Sequence, residues 1–479
     1  MNYRIVFYIL GKVMMFLSLF LLLPCVVALI YSEKAGLYFL LTAVASMCTG
    51  LLLSHKKPKN TSFFAREGFV VVALSWMVMS MFGAIPLCAS GEIPNPVDAL
   101  FEIVSGFTTT GASIVPRVED LSKCILFWRS FSHWIGGMGV IVFILAILPM
   151  AGGGNMHLLR AESSGTNVGK LVPKMKETAA ILYIIYMAMT LVMIIALAIS
   201  GMPLFENICI SFGTAGTGGF GLASDSVASY TAAQQWIITV FMFLFGVNFS
   251  FYYLILFRKF GQAFKLEEVR WYFILYLTIV VLIVINIVDT VGNTSDAVRH
   301  AAFQVSSLMT TTGFSTVDYE LWPEFSKGLL LLVMFTGACA GSTAGGIKIS
   351  RFIIAAKGMA KEVKKLIHPQ RVKITKMDGK ALSDDAIRTV SVYFLIYMAI
   401  FVVSYIIVSL DNFGFETSFT AVAATLNNIG PGLGAAGPTE SFADFSIASK
   451  LVFIVDMFIG RLEIFPILLL FMPSTWKNR

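Results

Sequence analysis

The sequence predicts an all-α polytopic membrane protein. Four pseudo-symmetric units, each a span, a half-helix, a strand and a second span, surround one axis, and an additional pair of spans precedes them. Three observations carry this. The 479-residue chain is 57% hydrophobic and only 13% charged, whereas a soluble chain carries about 25% charge. Apolar runs lie near 5–32, 36–54, 68–90, 124–150, 178–200, 233–257, 271–291, 326–356, 389–410 and 448–473, most of them long enough to cross a hydrocarbon core of roughly 30 Å. A Thr/Gly motif also recurs four times, at intervals near one hundred residues, the signature of repeated structural units.

The first apolar run has no small-residue cleavage site before the second, so it is expected to be a retained span and not a signal peptide. Residues 1–60 form the N-terminal pair. The four units are expected at 61–155, 156–262, 263–370 and 371–479. Four segments between spans, 55–67, 151–177, 258–270 and 357–388, hold 21 Lys and Arg, whereas 91–123, 201–232, 292–325 and 411–447 hold only Arg117, Lys123 and Arg299. The excess of positive charge marks the first set, and both termini, as cytoplasmic. The opposite set is acidic, with Glu92, Asp98, Glu102, Glu119, Glu320 and Glu440 among its carboxylates. Such a surface concentrates cations at its mouth, or simply solvates an exposed face.

Each outward segment holds a short apolar helix followed by Thr and Gly. VDALFEIVSGFTTTGAS (97–113) and VRHAAFQVSSLMTTTGFS (298–315) align with Phe101 and Ser105 on Phe303 and Ser307. LFENICISFGTAGTGGFG (204–221) and ETSFTAVAATLNNIGPGLG (416–434) are divergent copies. The half-helices, near 97–108, 203–214, 298–309 and 416–426, are too short to cross. They must enter and return, which a membrane tolerates only where backbone lines a cavity or is buried in protein. Their C-terminal ends, each carrying partial negative charge, would converge on the axis. The Thr/Gly strands would then ring a dehydrated cation with carbonyl oxygens. The expected strand residues are Thr109, Thr110 and Gly111; Gly216, Thr217 and Gly218; Thr311, Thr312 and Gly313; and Asn428, Ile429 and Gly430. The choice between Gly218 and Gly219 in the second copy stays open, and Asn428 and Ile429 depart from the Thr-Thr form. A packing role for these loops is the alternative.

These motifs, with FWRSFSHWIGGMGVIVFILAILP (127–149), GACAGSTAGGIKISR (337–351) and FIGRLEIFP (458–466), resemble those of the Trk/Ktr/HKT superfamily of potassium transporters, over residues from about 60 to the C-terminus. The additional N-terminal spans are similar to the TrkH/TrkG type. The resemblance implies a four-unit potassium pore in one polypeptide, two polypeptides per assembly, and a TrkA-like cytosolic ring that binds nucleotide and regulates it. Potassium would be the transported ion, no cofactor would be bound by this chain, and the setting would be a bacterial inner membrane. In plant HKT members, serine at the first filter glycine accompanies sodium permeation, so Gly111 implies potassium.

In the third unit's second span, LLLLVMFTGACAGSTAGGIKIS (329–350) breaks a helix just inside the filter. Its glycines permit a rearranging loop and its hydroxyls can satisfy freed backbone groups; a packing kink is the plainer alternative. The resemblance implies an intramembrane gate, formed by Gly337, Gly341, Ser342, Thr343, Gly345 and Gly346. Arg461 is too costly to leave unpartnered in a span. It either holds this loop closed, as the resemblance implies, or simply pairs with Asp456 or Glu463. Lys348 and Arg351 are expected to snorkel to the cytoplasmic interface, and GGMG (136–139) to be a close-packing site.

The nine Lys and Arg of 357–388 suit anionic lipid headgroups. No Walker or Rossmann motif occurs, so any nucleotide response must come from a partner. The five histidines (His55, His133, His157, His300 and His368) lack metal spacing, the six cysteines suggest no disulfide framework, and no reactive cluster supports an enzyme. A sodium-permeable or proton-coupled version, with symport through Asp456 or Glu463, is the near alternative. A carrier using broken helices at the midplane is the distant one, disfavoured by four outward half-hairpins instead of one interrupted pair.

Overall fold

The computed structural model describes residues 1–58, 65–147, 175–368 and 375–476. Its elements are helices, apart from one antiparallel hairpin pairing Lys376–Met377 with Lys380–Ala381 among the described residues. The expected unit boundaries at 60, 155 and 370 lie outside the described residues, as does His157.

The N-terminal helices Tyr3–Tyr31 and Gly36–Ser54 pack closely through small residues. A Cβ at Gly11 would lie 2.7 Å from the Gly50 carbonyl oxygen, and one at Gly50 equally close to that of Gly11, so the two backbones touch. The turn between them delivers Glu33, which accepts from the backbone N–H groups of Lys123 at 2.7 Å and Cys124 at 2.9 Å. A carboxylate at a helix start satisfies its free donors and its dipole, and here it joins the pair to the first unit.

Each unit then repeats one plan. Outer spans are Ala65–Ala89, Met175–Ile199, Glu267–Val291 and Asp384–Val408; half-helices are Pro96–Phe107, Leu204–Gly216, Thr294–Met309 and Phe415–Leu426. The first half-helix starts where it does because Asn95 accepts from Val97 N–H at 2.9 Å and Pro96 needs no donor partner. Six described helices are long and apolar enough to cross a membrane, or seven if one bent pair counts as a span.

Every inner span is broken. The first, Lys123–Ile147, has left-handed backbone at Gly139. The second bends by 89° between Ala232–Phe245 and Phe249–Leu256. The third is interrupted from Gly337 to Lys348, between Glu324–Thr336 and Ile349–Ile367. The fourth breaks after Ile447–Arg461 at Glu463 and Ile464, whose φ angles are positive, and resumes as Phe465–Phe471. Only the third break was expected from sequence.

Candidate functional site

The four half-helices end alike. Just past each end one residue takes left-handed φ: Thr109 (54°), Thr311 (53°) and Asn428 (55°), two residues beyond the last helical residue, and Thr217 (54°), one beyond it. The N–H groups of Thr110, Gly218, Thr312 and Ile429 reach back to the carbonyls of Ser105, Gly213, Ser307 and Ala424 at 2.7–2.8 Å. The residue before each of these bonds three residues back, to Gly106, Thr214, Leu308 and Thr425. This is a Schellman termination, but with threonine or asparagine where glycine is usual. A β-branched residue held left-handed costs about 1–3 kcal/mol and persists only where surroundings over-determine it.

Two residues later the backbone is left-handed again, at Gly111 (79°), Gly219 (78°), Gly313 (87°) and Gly430 (99°). These positions form a closed ring. A Cβ at Gly111 would overlap the carbonyl oxygen of Gly218, one at Gly219 that of Thr312, and one at Gly313 that of Ile429; one at Gly430 would lie 2.8 Å from that of Thr110. Each unit's glycine is thus covered by the next unit's preceding carbonyl, and unit four returns to unit one. The strands meet around one centre, with glycine required by contact as well as by φ.

The ring fixes the register. The second strand reads Thr217, Gly218, Gly219, one residue later than expected: Gly219 is the equivalent of Gly111, and Gly216 is the last helical residue, equivalent to Thr108, Thr310 and Asn427. At that position Thr108 and Thr310 donate to the carbonyls of Val104 and Ser306, and Asn427 Nδ2 does the same to Ala423 at 2.9 Å. Asn428 Nδ2 donates to Thr110 Oγ1 and to the Met457 carbonyl, both at 2.9 Å. Asn427 thus keeps the bond that Thr108 and Thr310 make to the preceding helical turn, Ile429 has no hydroxyl to match the Thr108–Thr110 and Thr310–Thr312 pairs, and Asn428 adds a tie between units four and one.

Behind the strands, His133 joins the first two units. Its Nδ1 bonds the Gly106 carbonyl at 2.8 Å, and its Nε2 accepts from Phe220 N–H at 3.3 Å, which makes it a neutral structural strut. Beside it, Arg129 Nε donates to Glu102 Oε1 at 2.6 Å with both side chains at most 1% exposed. Glu102 also accepts from Ile114 N–H at 2.8 Å, and the Arg129 guanidinium lies over the Phe220 ring at 4.1 Å. Glu102 therefore braces the chain that follows the first strand instead of facing outward, as its place among the outward acids suggested. Asp98 is likewise committed, to Lys450 at 2.9 Å. Glu440 does line the outer mouth, with Gly111, Gly219, Gly313 and Gly430 at its floor. Glu119 bridges units one and two through Ser224 N–H at 2.6 Å and Oγ at 2.7 Å, and those hydrogen bonds hold its carboxyl below the usual carboxylate range. Arg129→Ala, by stranding a buried carboxylate, is expected to cost about 3–5 kcal/mol; a thermal unfolding curve in detergent that matches wild type would contradict the strut.

The Gly337–Lys348 segment lies directly against the ring of strands. Gly345 N–H donates to Thr311 Oγ1 at 2.6 Å, and a Cβ at Gly345 would sit 2.6 Å from the Asn427 carbonyl oxygen. Of the other expected loop residues, Thr343 Oγ1 donates to the Phe245 carbonyl at 3.3 Å and Ser342 Oγ to the Cys339 carbonyl at 2.6 Å, while Gly341 accepts from Phe249 N–H at 3.0 Å. Gly337 and Gly346 lie back to back: a Cβ at Gly346 would be 2.9 Å from Gly337 Cα. Arg461 comes to this loop. Its guanidinium donates to the Thr343 carbonyl at 2.7 Å and to the carbonyls of Gly136 and Gly137, the latter at 3.2 Å. Glycines 136 and 137 pack closely, as expected: a Cβ at Gly137 would lie 2.6 Å from Gly216 Cα. They also offer carbonyls to Arg461, so one guanidinium ties units one, three and four together.

Lys348 and Arg351 do not snorkel. They are 6% and 7% exposed, because the broken helix supplies partners at depth. Lys348 Nζ donates to the Ala344 carbonyl, and Arg351 donates to the Ile347 carbonyl and to Glu463 while stacking on Tyr393 at 4.0 Å. Asp456 accepts from Ser404 at 2.8 Å. Sequence reading passed over Glu268, which is buried in the third outer span; one of its oxygens accepts from both Ala340 N–H at 2.7 Å and Ser350 N–H at 3.1 Å. It clasps the two sides of the loop. Its one sequence signal is a carboxylate at the start of an apolar run.

The family described as TrkH, cation transport protein, matches residues 37–478. The potassium uptake protein TrkH of Salmonella typhimurium is 37% identical over the full length of both chains, and TrkG of Escherichia coli is 34% identical over 99% of each. The crystal structure of the potassium transporter TrkH from Vibrio parahaemolyticus superposes with a TM-score of 0.88 at 33% identity, covering all of both chains.

Proposed function

The chain belongs to the TrkH family of cation transport proteins, and from that premise we propose that it is the potassium-conducting subunit of a Trk uptake system. The relatives are named as transporters, not as enzymes, and potassium is the transported ion in this reading. The observation that carries it is the closed ring in which each of Gly111, Gly219, Gly313 and Gly430 meets a carbonyl of the neighbouring strand. Carbonyls of Thr109–Gly111, Thr217–Gly219, Thr311–Gly313 and Asn428–Gly430 replace the ion's hydration shell, and the partial negative charge of four half-helix C-termini favours a cation there. The Gly337–Lys348 loop is the gate, and Arg461 holds it shut. A TrkA-like ring that binds nucleotide docks at the cytoplasmic face, where both termini also lie; two copies assemble in a bacterial inner membrane, and the basic 357–388 segment faces anionic lipid.

The test is rescue of a bacterial strain stripped of its own potassium uptake systems. Expression of the chain with a TrkA-like partner restores growth at limiting potassium, and expression with Gly219→Ala does not. No rescue, with the protein inserted in the membrane, contradicts the reading.

A further inference from the structure

The bond between Gly345 N–H and Thr311 Oγ1, at 2.6 Å, is the point where the loop under the filter engages a filter side chain. Thr311 has φ 53° and is fully buried, so its hydroxyl is placed by the strained conformation of the third strand itself. Its counterparts are differently used. Thr109 Oγ1 and Asn428 Oδ1 are buried without a hydrogen-bond partner, and Thr217 Oγ1 donates to the Gly216 carbonyl. The contact is therefore particular to the third strand.

We propose that Thr311 is both a filter residue and a latch for the gate, so that cation occupancy of the filter and the position of the Gly337–Lys348 loop are coupled through one side chain. This rests on reading that loop as the gate. A dehydrated cation bound by the strand carbonyls favours the left-handed conformation at Thr311, and that conformation presents Oγ1 to Gly345. When the cation leaves, the strained threonine relaxes, the acceptor moves and the latch weakens. The linkage is reciprocal: a loop held closed stabilises the cation-binding form of the third strand by the same factor. Thr311 is a positioning residue in this role, acting on the loop rather than on the ion.

Cys339 provides the readout. It lies in the loop, is fully buried and donates its backbone N–H to the Gly246 carbonyl at 3.1 Å. The purified full-length protein is exposed to a thiol-reactive maleimide in potassium chloride or in choline chloride, and labelling at Cys339 is quantified by peptide mapping. In wild type, labelling is slower in potassium. Thr311→Val, which keeps the shape and removes the acceptor, labels about five- to tenfold faster, as loss of one buried hydrogen bond allows, and loses its cation dependence. Thr311→Ser, which restores the hydroxyl, stays within about twofold of wild type. Equal labelling of wild type in the two salts overturns the coupling whether or not any variant folds. Labelling of Thr311→Val at the wild-type rate, or of Thr311→Ser as fast as Thr311→Val, overturns the latch. Arg461→Ala separates the two readings: if it speeds labelling while Thr311→Val does not, only the latch falls, and if neither does, the gate reading falls with it.

Discussion

Gly219→Ala is expected to reduce potassium flux by at least about tenfold while leaving the protein folded. Two costs combine. A residue with Cβ at φ 78° loses about 1–2 kcal/mol relative to glycine, and the Cβ itself would overlap the Thr312 carbonyl oxygen. That oxygen belongs to the ring, so it must turn away and break the fourfold arrangement. Gly201→Ala is the control that separates the two costs. Gly201 has φ 83° with nothing within 4 Å of its Cβ position, so it carries the conformational strain without the overlap. Flux through reconstituted liposomes is expected to survive Gly201→Ala. Wild-type flux in Gly219→Ala would show that the ring is not the conduction path. Gly111→Ser is likewise expected to weaken the preference for potassium over sodium, because its Cβ would overlap the Gly218 carbonyl.

Arg461→Ala is expected to act in the opposite direction, raising potassium leak in the absence of any regulator. The guanidinium holds the loop through the Thr343 carbonyl and holds the first inner span through Gly136 and Gly137. Each hydrogen bond from a charged donor contributes about 1.5–3 kcal/mol. Losing the single bond to the loop therefore shifts the closed–open balance by about ten- to a hundredfold. Arg461→Lys keeps the charge but cannot reach carbonyls of two units at once, since it lacks the planar fork, and is expected to fall between. The potassium-to-sodium ratio should not change, because the filter strands are untouched. Leak equal to wild type in folded Arg461→Ala protein contradicts the latch.

The fold was legible because its signals are local and repeated: apolar runs, charge asymmetry, and a half-helix ending in Thr/Gly in every unit. The left-handed strand geometry after the half-helix was legible for the same reason in units one and three. The second strand slipped by one residue because GTGG places glycine at both candidate positions, and only the left-handed backbone at Thr217 and Gly219 distinguishes them. Asn428 and Ile429 remain a departure from the Thr-Thr form; what the structure adds is that Asn427 makes the bond of Thr108 and Thr310 to the preceding turn and that Asn428 reaches Thr110 of the first unit. What the sequence hid is long-range. Arg351 looked like an interfacial cation because Glu463 lies 112 residues away, and Glu102 looked like a surface acid because Arg129 is in another helix. The breaks at Gly246–Asn248 and Glu463–Ile464 carry a single glycine between them, not a run of small residues. Both meet the Gly337–Lys348 region or its flank: Gly246 accepts from Cys339 N–H, Phe249 N–H donates to Gly341, and Glu463 pairs with Arg351.

In the proposed function, the carbonyl oxygens of four strands in one chain select potassium. The direct measurement is cation flux through liposomes containing the purified Arg461→Ala chain, under equal potassium or sodium gradients and no proton gradient. Potassium flux well above sodium is the predicted result. Equal flux of the two ions, or none of either through folded protein, contradicts it.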